Sequence, residues 1–236
     1  AQRALPVIAS QCDASVQMVG TMLDLARIGA APLRRDVVEL GDIAQAAFDE
    51  VLLGAPDGTT RPTFSCSPMP RVRSDPNLLR SVFVNLIGNA VKFTRGQRAP
   101  RIEISATVEG RDVAVEVHDN GVGFSPEVAE RIFEPFYRSH ADSHEGHGLG
   151  LSIVRRAVEA LGGTVWAKGG TGQGASLCLR LPEALDADVE HPGTAPTAHR
   201  PGEPAMGAWK RCIPAAGKGL SRRRNRSTPA VPPSAP

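Results

Sequence analysis

Along residues 75–94, DPNLLRSVFVNLIGNAVKFT, apolar side chains recur on nearly every side of a helix. They are Leu78, Leu79, Val82, Phe83, Val84, Leu86, Ile87, Ala90 and Val91. A helix patterned this way is predicted to be buried on several sides. Asp75 as N-cap and Pro76 at the first position mark its start. Asn85, Asn89 and Lys92 interrupt the apolar pattern at i, i+4 and i+7, and so form one stripe. Buried amides and a buried ammonium need partners, supplied by the chain or by a ligand.

The remaining pattern alternates helices with short strands. Residues 2–28 read as a helix, with Leu5, Cys12, Val19 and Ala26 repeating every seven and Ile8 and Met22 on the adjoining row. This is the seam of a hairpin or bundle, or an ordinary amphipathic helix. GAAPLRR ends it. DVVEL reads as a strand, GDIAQAAFDEVLL as a helix and TFSCS as a strand. RIEISATVE and RDVAVEVHD alternate as two strands around a tight turn. SPEVAERIF is a short helix, EPFYRSHADSHEGHG an aperiodic loop, and LGLSIVRRAVEALGG a helix closed by glycine. TVWAK and ASLCLRLP form a last hairpin. Without a parallel βαβ rhythm, the expected fold is α+β: a two-layer sandwich on a mixed, mainly antiparallel sheet. Beyond Pro182 the chain turns rich in Pro, Gly and Ala, so 183–236 is expected to be a disordered basic tail. SRRRNR within it reads as solvated charge.

Composition changes this picture little. Of 236 residues 41% are apolar and 4% aromatic, so the core is aliphatic. A net charge of +2 gives no steer towards nucleic acid. Cys12, Cys66, Cys178 and Cys212 form no CxxC pair, which suggests a reduced, cytoplasmic setting and no metal site. No apolar run is long enough to span a membrane, and no signal peptide is visible. The start at Ala1 rather than Met suggests a piece of a longer protein.

Candidate chemistry gathers around one strand. Val113, Val115, Val117 and Asp119 share one parity, so the valine face is the core side and Asp119 aims a carboxylate under the helices. A turn-capping role is the alternative, since DNG opens a bend. DNGVGF adds Gly121 and Gly123, where backbone can approach a ligand. GHGLGLS adds Gly146, Gly148 and Gly150 at a helix start, where free N–H groups favour an anion. Each patch alone is an ordinary turn; together with the Asn/Asn/Lys stripe they describe a nucleotide site. The carboxylate can accept from an adenine amine, an asparagine oxygen suits Mg²⁺, and Lys92 can balance phosphate. His140, His144 and His147 have metal-like spacing, but a solvated loop is the preferred reading.

NLIGNAVKFT, DNGVGF, IFEPFYR, GHGLGLSIV and GTGQGASL, in this order, resemble the N, G1, F, G2 and G3 boxes of sensor histidine kinases. These belong to the GHKL ATPase superfamily, with gyrase and the heat-shock chaperone as distant relatives. The resemblance implies a two-layer sandwich of the GHKL (Bergerat) type over 33–182. It also implies that 1–30 is the second helix of a dimerisation and phosphotransfer hairpin, as QCDASVQMVGTMLDLARIG resembles that helix.

The resemblance further implies roles. Asn85, Asn89 and Lys92 are the candidate catalytic residues, Asn89 holding Mg²⁺ and Lys92 touching phosphate. Asn85 stands where ATP-hydrolysing relatives keep a glutamate, which implies transfer rather than hydrolysis. Asp119 would read adenine, with Gly121 and Gly123 lining it. Arg138, Gly148, Leu149 and Gly150 would close over ribose and phosphates, and Ser176 stands where the family has a threonine near the adenine. His147 replaces a small hydroxyl residue between two glycines. ATP, Mg²⁺, a response regulator and a homodimer of the intact parent are the implied cofactors and partners, and that parent would be cytoplasmic or anchored in the inner membrane. One departure stands out: no histidine precedes His118, so the usual phosphoacceptor is missing. A non-catalytic ATP-binding signalling module and a GHKL kinase acting on a partner's serine are therefore the alternatives. The F box and the hairpin-like helix argue against the second of these.

Overall fold

The structure, a computed structural model, describes residues 32–56, 59–138 and 148–185, together with a few positions between 19 and 28. Most of the predicted N-terminal helix, the residues 139–147 with all three loop histidines, and the tail from 186 lie outside the described residues. On the proposed N-terminal seam, Val19 and Met22 are exposed. Ile28, which that heptad does not include, is buried in the core.

The strands are β1 (Asp36–Glu39), β2 (Thr63–Cys66), β3 (Arg71–Ser74), β4 (Arg101–Glu109), β5 (Asp112–Asp119), β6 (Thr164–Gly169) and β7 (Ala175–Pro182). The helices are α1 (Leu40–Leu53), α2 (Pro76–Phe93), α3 (Pro126–Arg131) and α4 (Gly150–Ala160). Five strands form one sheet in the order β2-β4-β5-β7-β6, and β1 pairs with β3 in a separate two-stranded sheet. Only the β2–β4 pair of the large sheet is parallel, so the sheet is mixed and mainly antiparallel.

Strand parity decides where the core lies. Ile102 and Ile104 of β4, Val113, Val115 and Val117 of β5, and Leu177, Leu179 and Leu181 of β7 occupy one face. They share a core with Leu40, Ala44 and Phe48 of α1, Leu79, Phe83, Leu86 and Ile87 of α2, and Ile153, Val154 and Val158 of α4. Each fully buried Leu, Ile or Phe contributes about 1.5–3 kcal/mol. The opposite face carries Glu103, Glu116, His118, Ser176 and Arg180 in register across three strands. At the sheet edge the Phe48 and Phe64 rings stack 4.1 Å apart, which holds β2 against α1.

Two local features depart from the expectation. RVRS forms strand β3, which no apolar alternation announces; only Val72 is buried there among its apolar side chains. The chain also does not leave the fold at Pro182. Ala184 bridges Val72, and Glu183, at φ 63, accepts from Arg73 through its carbonyl and from Arg35 through its side chain. Residues 183–185 are therefore part of the fold rather than of the tail.

Candidate functional site

Helix α2 supplies the floor of the site. Asp75 caps it, accepting at Oδ1 from the amides of Asn77 (2.9 Å) and Leu78 (3.2 Å). Its apolar faces are buried, while Asn85, Asn89 and Lys92 are half-buried on one stripe. The stripe is thus neither sealed inside the core nor fully exposed. Asn85 Nδ2 donates to the Ser81 carbonyl at 2.8 Å, one turn back. That leaves Oδ1 to face α4, where a Cβ built on Gly150 would stand 2.8 Å from it. Only glycine allows α4 to begin this close to Asn85. Among the described residues no side chain caps that helix start. Lys92 Nζ sits 4.6 Å above the Phe93 ring. The Asn89 side chain makes no hydrogen bond among the described residues.

Asp119 ends β5 on the core face, as its parity with the valines requires, and is only 4% exposed. Oδ1 accepts from the Gly121 amide at 2.8 Å. Burial pushes its carboxyl up to about 6, against the opposing pull of the Gly121 amide, the nearby His118 and the Ala175 backbone. It is a carboxylate set where the fold disfavours its charged form. Its turn packs against the end of α2, where the Val122 amide donates to the Phe93 carbonyl at 3.3 Å.

A third segment closes this end. Gly174, at φ 79, lies against the backbone of Asp119 so tightly that a Cβ would run into the Asp119 carbonyl oxygen. The Gly172 amide donates to the Val122 carbonyl at 2.7 Å, which locks the two glycine loops together. Gly123 nests on the Gly170 carbonyl within the same contact. Gly148 accepts from the Phe136 amide at 3.0 Å, so the start of α4 is tied to the segment before Arg138.

The structure therefore joins the Asp119, Gly121 and Gly123 turn to the end of α2 that carries Lys92, and sets Gly150, two residues after Gly148, against Asn85 of the same helix. Some of the rest depart from the expectation. Ser176 is corrected: its hydroxyl lies 3.1 Å from His118 Nδ1, on the sheet face opposite Asp119, because adjacent residues of a strand point to opposite faces. The residue paired with Asp119, and so facing the site, is Ala175. Leu149 is buried, and its carbonyl accepts from the Ile153 amide and the Ser152 hydroxyl, so it anchors α4 rather than presenting a side chain to a ligand. Arg138 is exposed at the edge of the described segment. Ala175 and Gly174 escaped the sequence reading. The glycine-rich GTGQG was the only signal for Gly174, and strand register was needed for Ala175. Among the described residues no helix is long and apolar enough to cross a membrane, and no group of three or more His, Cys, Asp or Glu could hold a metal ion.

Comparison with known proteins bears on this arrangement. Residues 74–185 match the family described as histidine kinase-, DNA gyrase B-, and HSP90-like ATPase. The methanogenesis regulatory histidine kinase FilI of Methanothrix harundinacea (strain 6Ac) is 38% identical over 113 residues, 48% of this chain and 13% of that protein. The sensor protein KdpD of Escherichia coli (strain K12) is 33% identical over 181 residues, 75% of this chain and 20% of that protein. The chain thus spans a fifth or less of these curated relatives. The crystal structure of full-length ShkA in complex with AMPPNP superposes with a TM-score of 0.64 at 30% identity, over 78% of this chain and 39% of that one. The shared fold, the five ordered boxes and the glycine contacts joining them agree: residues 74–185 belong to the GHKL ATPase family and form a catalytic domain of the sensor histidine kinase type.

Proposed function

We propose that this chain is the ATP-binding catalytic module of a two-component sensor histidine kinase. It would transfer the γ-phosphoryl group of Mg·ATP to a histidine that these residues do not include, for relay to a response-regulator aspartate. The observation that carries the reading is Asp119, a buried carboxylate held by the Gly121 amide beside the Asn85–Asn89–Lys92 stripe. ShkA, of like fold, was solved with AMPPNP.

The residues fit such a ligand. The Asp119 carboxylate accepts from the exocyclic amine of adenine, which has a donor there and no charge to bury. The first turn of α4, brought against Asn85 by Gly150, offers N–H groups to phosphate oxygens. Asn89 offers an amide oxygen for Mg²⁺, and Lys92 an ammonium for phosphate. Bound Mg²⁺ would supply charge neutralisation on the phosphate oxygens. In the transfer a P–N bond forms to an imidazole nitrogen as the bond from Pγ to the ADP oxygen breaks. The protein's part is positioning and charge neutralisation. Asn85 cannot serve as a base. Its Nδ2 is committed to Ser81, and an amide oxygen takes no proton near neutral pH, so water is not activated from this position.

Pairing as a homodimer in the intact protein and a cytoplasmic site of action belong to the same proposal. The alternative is an ATP-binding signalling module or a kinase of a partner protein, which the same nucleotide site would serve equally. Calorimetric titration with AMPPNP, with and without Mg²⁺, tests binding, and no heat of binding would refute the proposal. Incubation with γ-labelled ATP separates the readings. The chain alone is expected to take up no acid-labile, base-stable label, and a supplied hairpin bearing a histidine is expected to take it up. Label on neither favours the signalling module.

A further inference from the structure

We propose that Asp75 is a positioning residue that couples the linker before β1 to the nucleotide site, through the first turn of α2. Its carboxylate has two jobs. Oδ1 caps α2 through the Asn77 and Leu78 amides, and Oδ2 accepts from the backbone amide of Arg34 at 3.0 Å, across 41 residues of chain. Asp75 is 8% exposed, so this bond is sheltered from competing water.

The surrounding chain makes the bond a joint. Six residues before Arg34, Ile28 is buried in the core. Two residues after it, β1 begins and pairs with β3, which ends next to Asp75 at Ser74. Arg35 pairs with Glu183, so the chain leaving the domain is fastened at the same place. The linker therefore cannot shift without moving either β3 or the carboxylate that starts α2. A helix is stiff, and the Asn85 position lies about 15 Å along its axis from Asp75. A tilt imposed at the first turn reaches Asn85, Asn89 and Lys92 directly. Serine or threonine would cap the helix equally well, but each has one side-chain oxygen. Only an acidic residue offers one oxygen to the helix and a second to the linker.

The inference rests on the nucleotide-binding reading. Linkage then requires that a nucleotide which fixes α2 also tightens the Arg34 bond, and the reverse. Two variants break the bond from opposite sides. Asp75→Asn keeps Oδ1 for the cap and sets an N–H donor against the Arg34 amide. Arg34→Pro removes that donor and leaves the carboxylate and cap untouched. Neither residue belongs to the nucleotide site. AMPPNP affinity by calorimetry and hydrogen exchange at residues 35 and 36 are measured for the parent and both variants. In the parent, AMPPNP is expected to slow exchange there. In both variants that response is lost and affinity falls about fivefold. Asp75→Ser, a cap with a single acceptor, is expected to repeat the loss and stands in if either variant fails to fold. Weak binding by Asp75→Asn with parental behaviour in Arg34→Pro would overturn the proposal and reduce Asp75 to a cap. Parental binding and exchange in both would also overturn it. A parent that takes up no AMPPNP refutes the nucleotide reading itself, and this coupling with it.

Discussion

Replacing Asp119 by Asn should make the free protein more stable and the nucleotide complex weaker. The first effect follows from burial. The Asp119 carboxyl titrates near 6 in the folded protein, against an ordinary value of 3.8. That difference corresponds to about 3 kcal/mol, at roughly 1.4 kcal/mol for each tenfold change in proton affinity. The sign follows from proton binding. Between pH 4 and 6 the folded state holds more protons at this group than the unfolded state, so the group's contribution to stability falls as pH rises through that window. Below pH 4 the carboxyl is neutral in both states and costs nothing electrostatically. Above pH 6 the full cost of the buried charge is present. An asparagine of the same shape keeps an acceptor for the Gly121 amide and carries no charge.

Chemical denaturation of both proteins at pH 4, 5, 6 and 7 reads this directly. The stability difference, variant minus parent, should be smallest at pH 4 and grow by up to about 3 kcal/mol by pH 7. The second effect has the opposite sign. The carboxylate accepts from adenine, and a hydrogen bond to a charged group contributes about 1.5–3 kcal/mol, so AMPPNP affinity should drop roughly ten- to hundredfold. In the parent the same affinity should decline as pH falls through 6, and in the variant it should not. A variant less stable than the parent at pH 7, or one binding with parental affinity, would show that Asp119 serves the fold rather than the ligand.

Three other changes probe the remaining walls of the site. Gly150→Ala places a methyl group 2.8 Å from Asn85 Oδ1, so Asn85 or the start of α4 must give way; affinity for AMPPNP should fall more than affinity for adenosine, and equal losses for the two ligands would place Gly150 away from the phosphates. Asn89→Ala should abolish the gain in AMPPNP affinity on adding Mg²⁺, and an unchanged gain in a calorimetric comparison would remove this residue from metal binding. Gly174→Ala forces a side chain to φ 79 and into the Asp119 carbonyl. It should cost at least about 1–2 kcal/mol, visible as a lower melting temperature, together with loss of nucleotide binding. A stable, binding-competent variant would mean the two loops are not held together as the structure shows.

What the sequence made legible was periodicity, and what it concealed was register. The valine parity of β5 was enough to turn Asp119 inward, because one strand's alternation is a local property. Which residue of β7 lies beside Asp119 depends on pairing between strands, and a slip of one residue exchanges Ala175 for Ser176 and one face for the other. The α2 stripe was visible for a similar reason, since Asn85, Asn89 and Lys92 lie within two turns of one helix. The contact of Asn85 with Gly150 was not, because glycine reports that something approaches without saying what. Strand β3 was hidden because its side chains, Val72 aside, are polar, and its pairing with β1 and Ala184 is made by backbone. Asp75 combines both cases. Its cap on α2 is written in the adjacent Pro76, whereas its bond to Arg34 runs to a main-chain amide that every non-proline residue carries. No residue type at position 34 could have announced that bond, so partners of this kind emerge only from the folded chain.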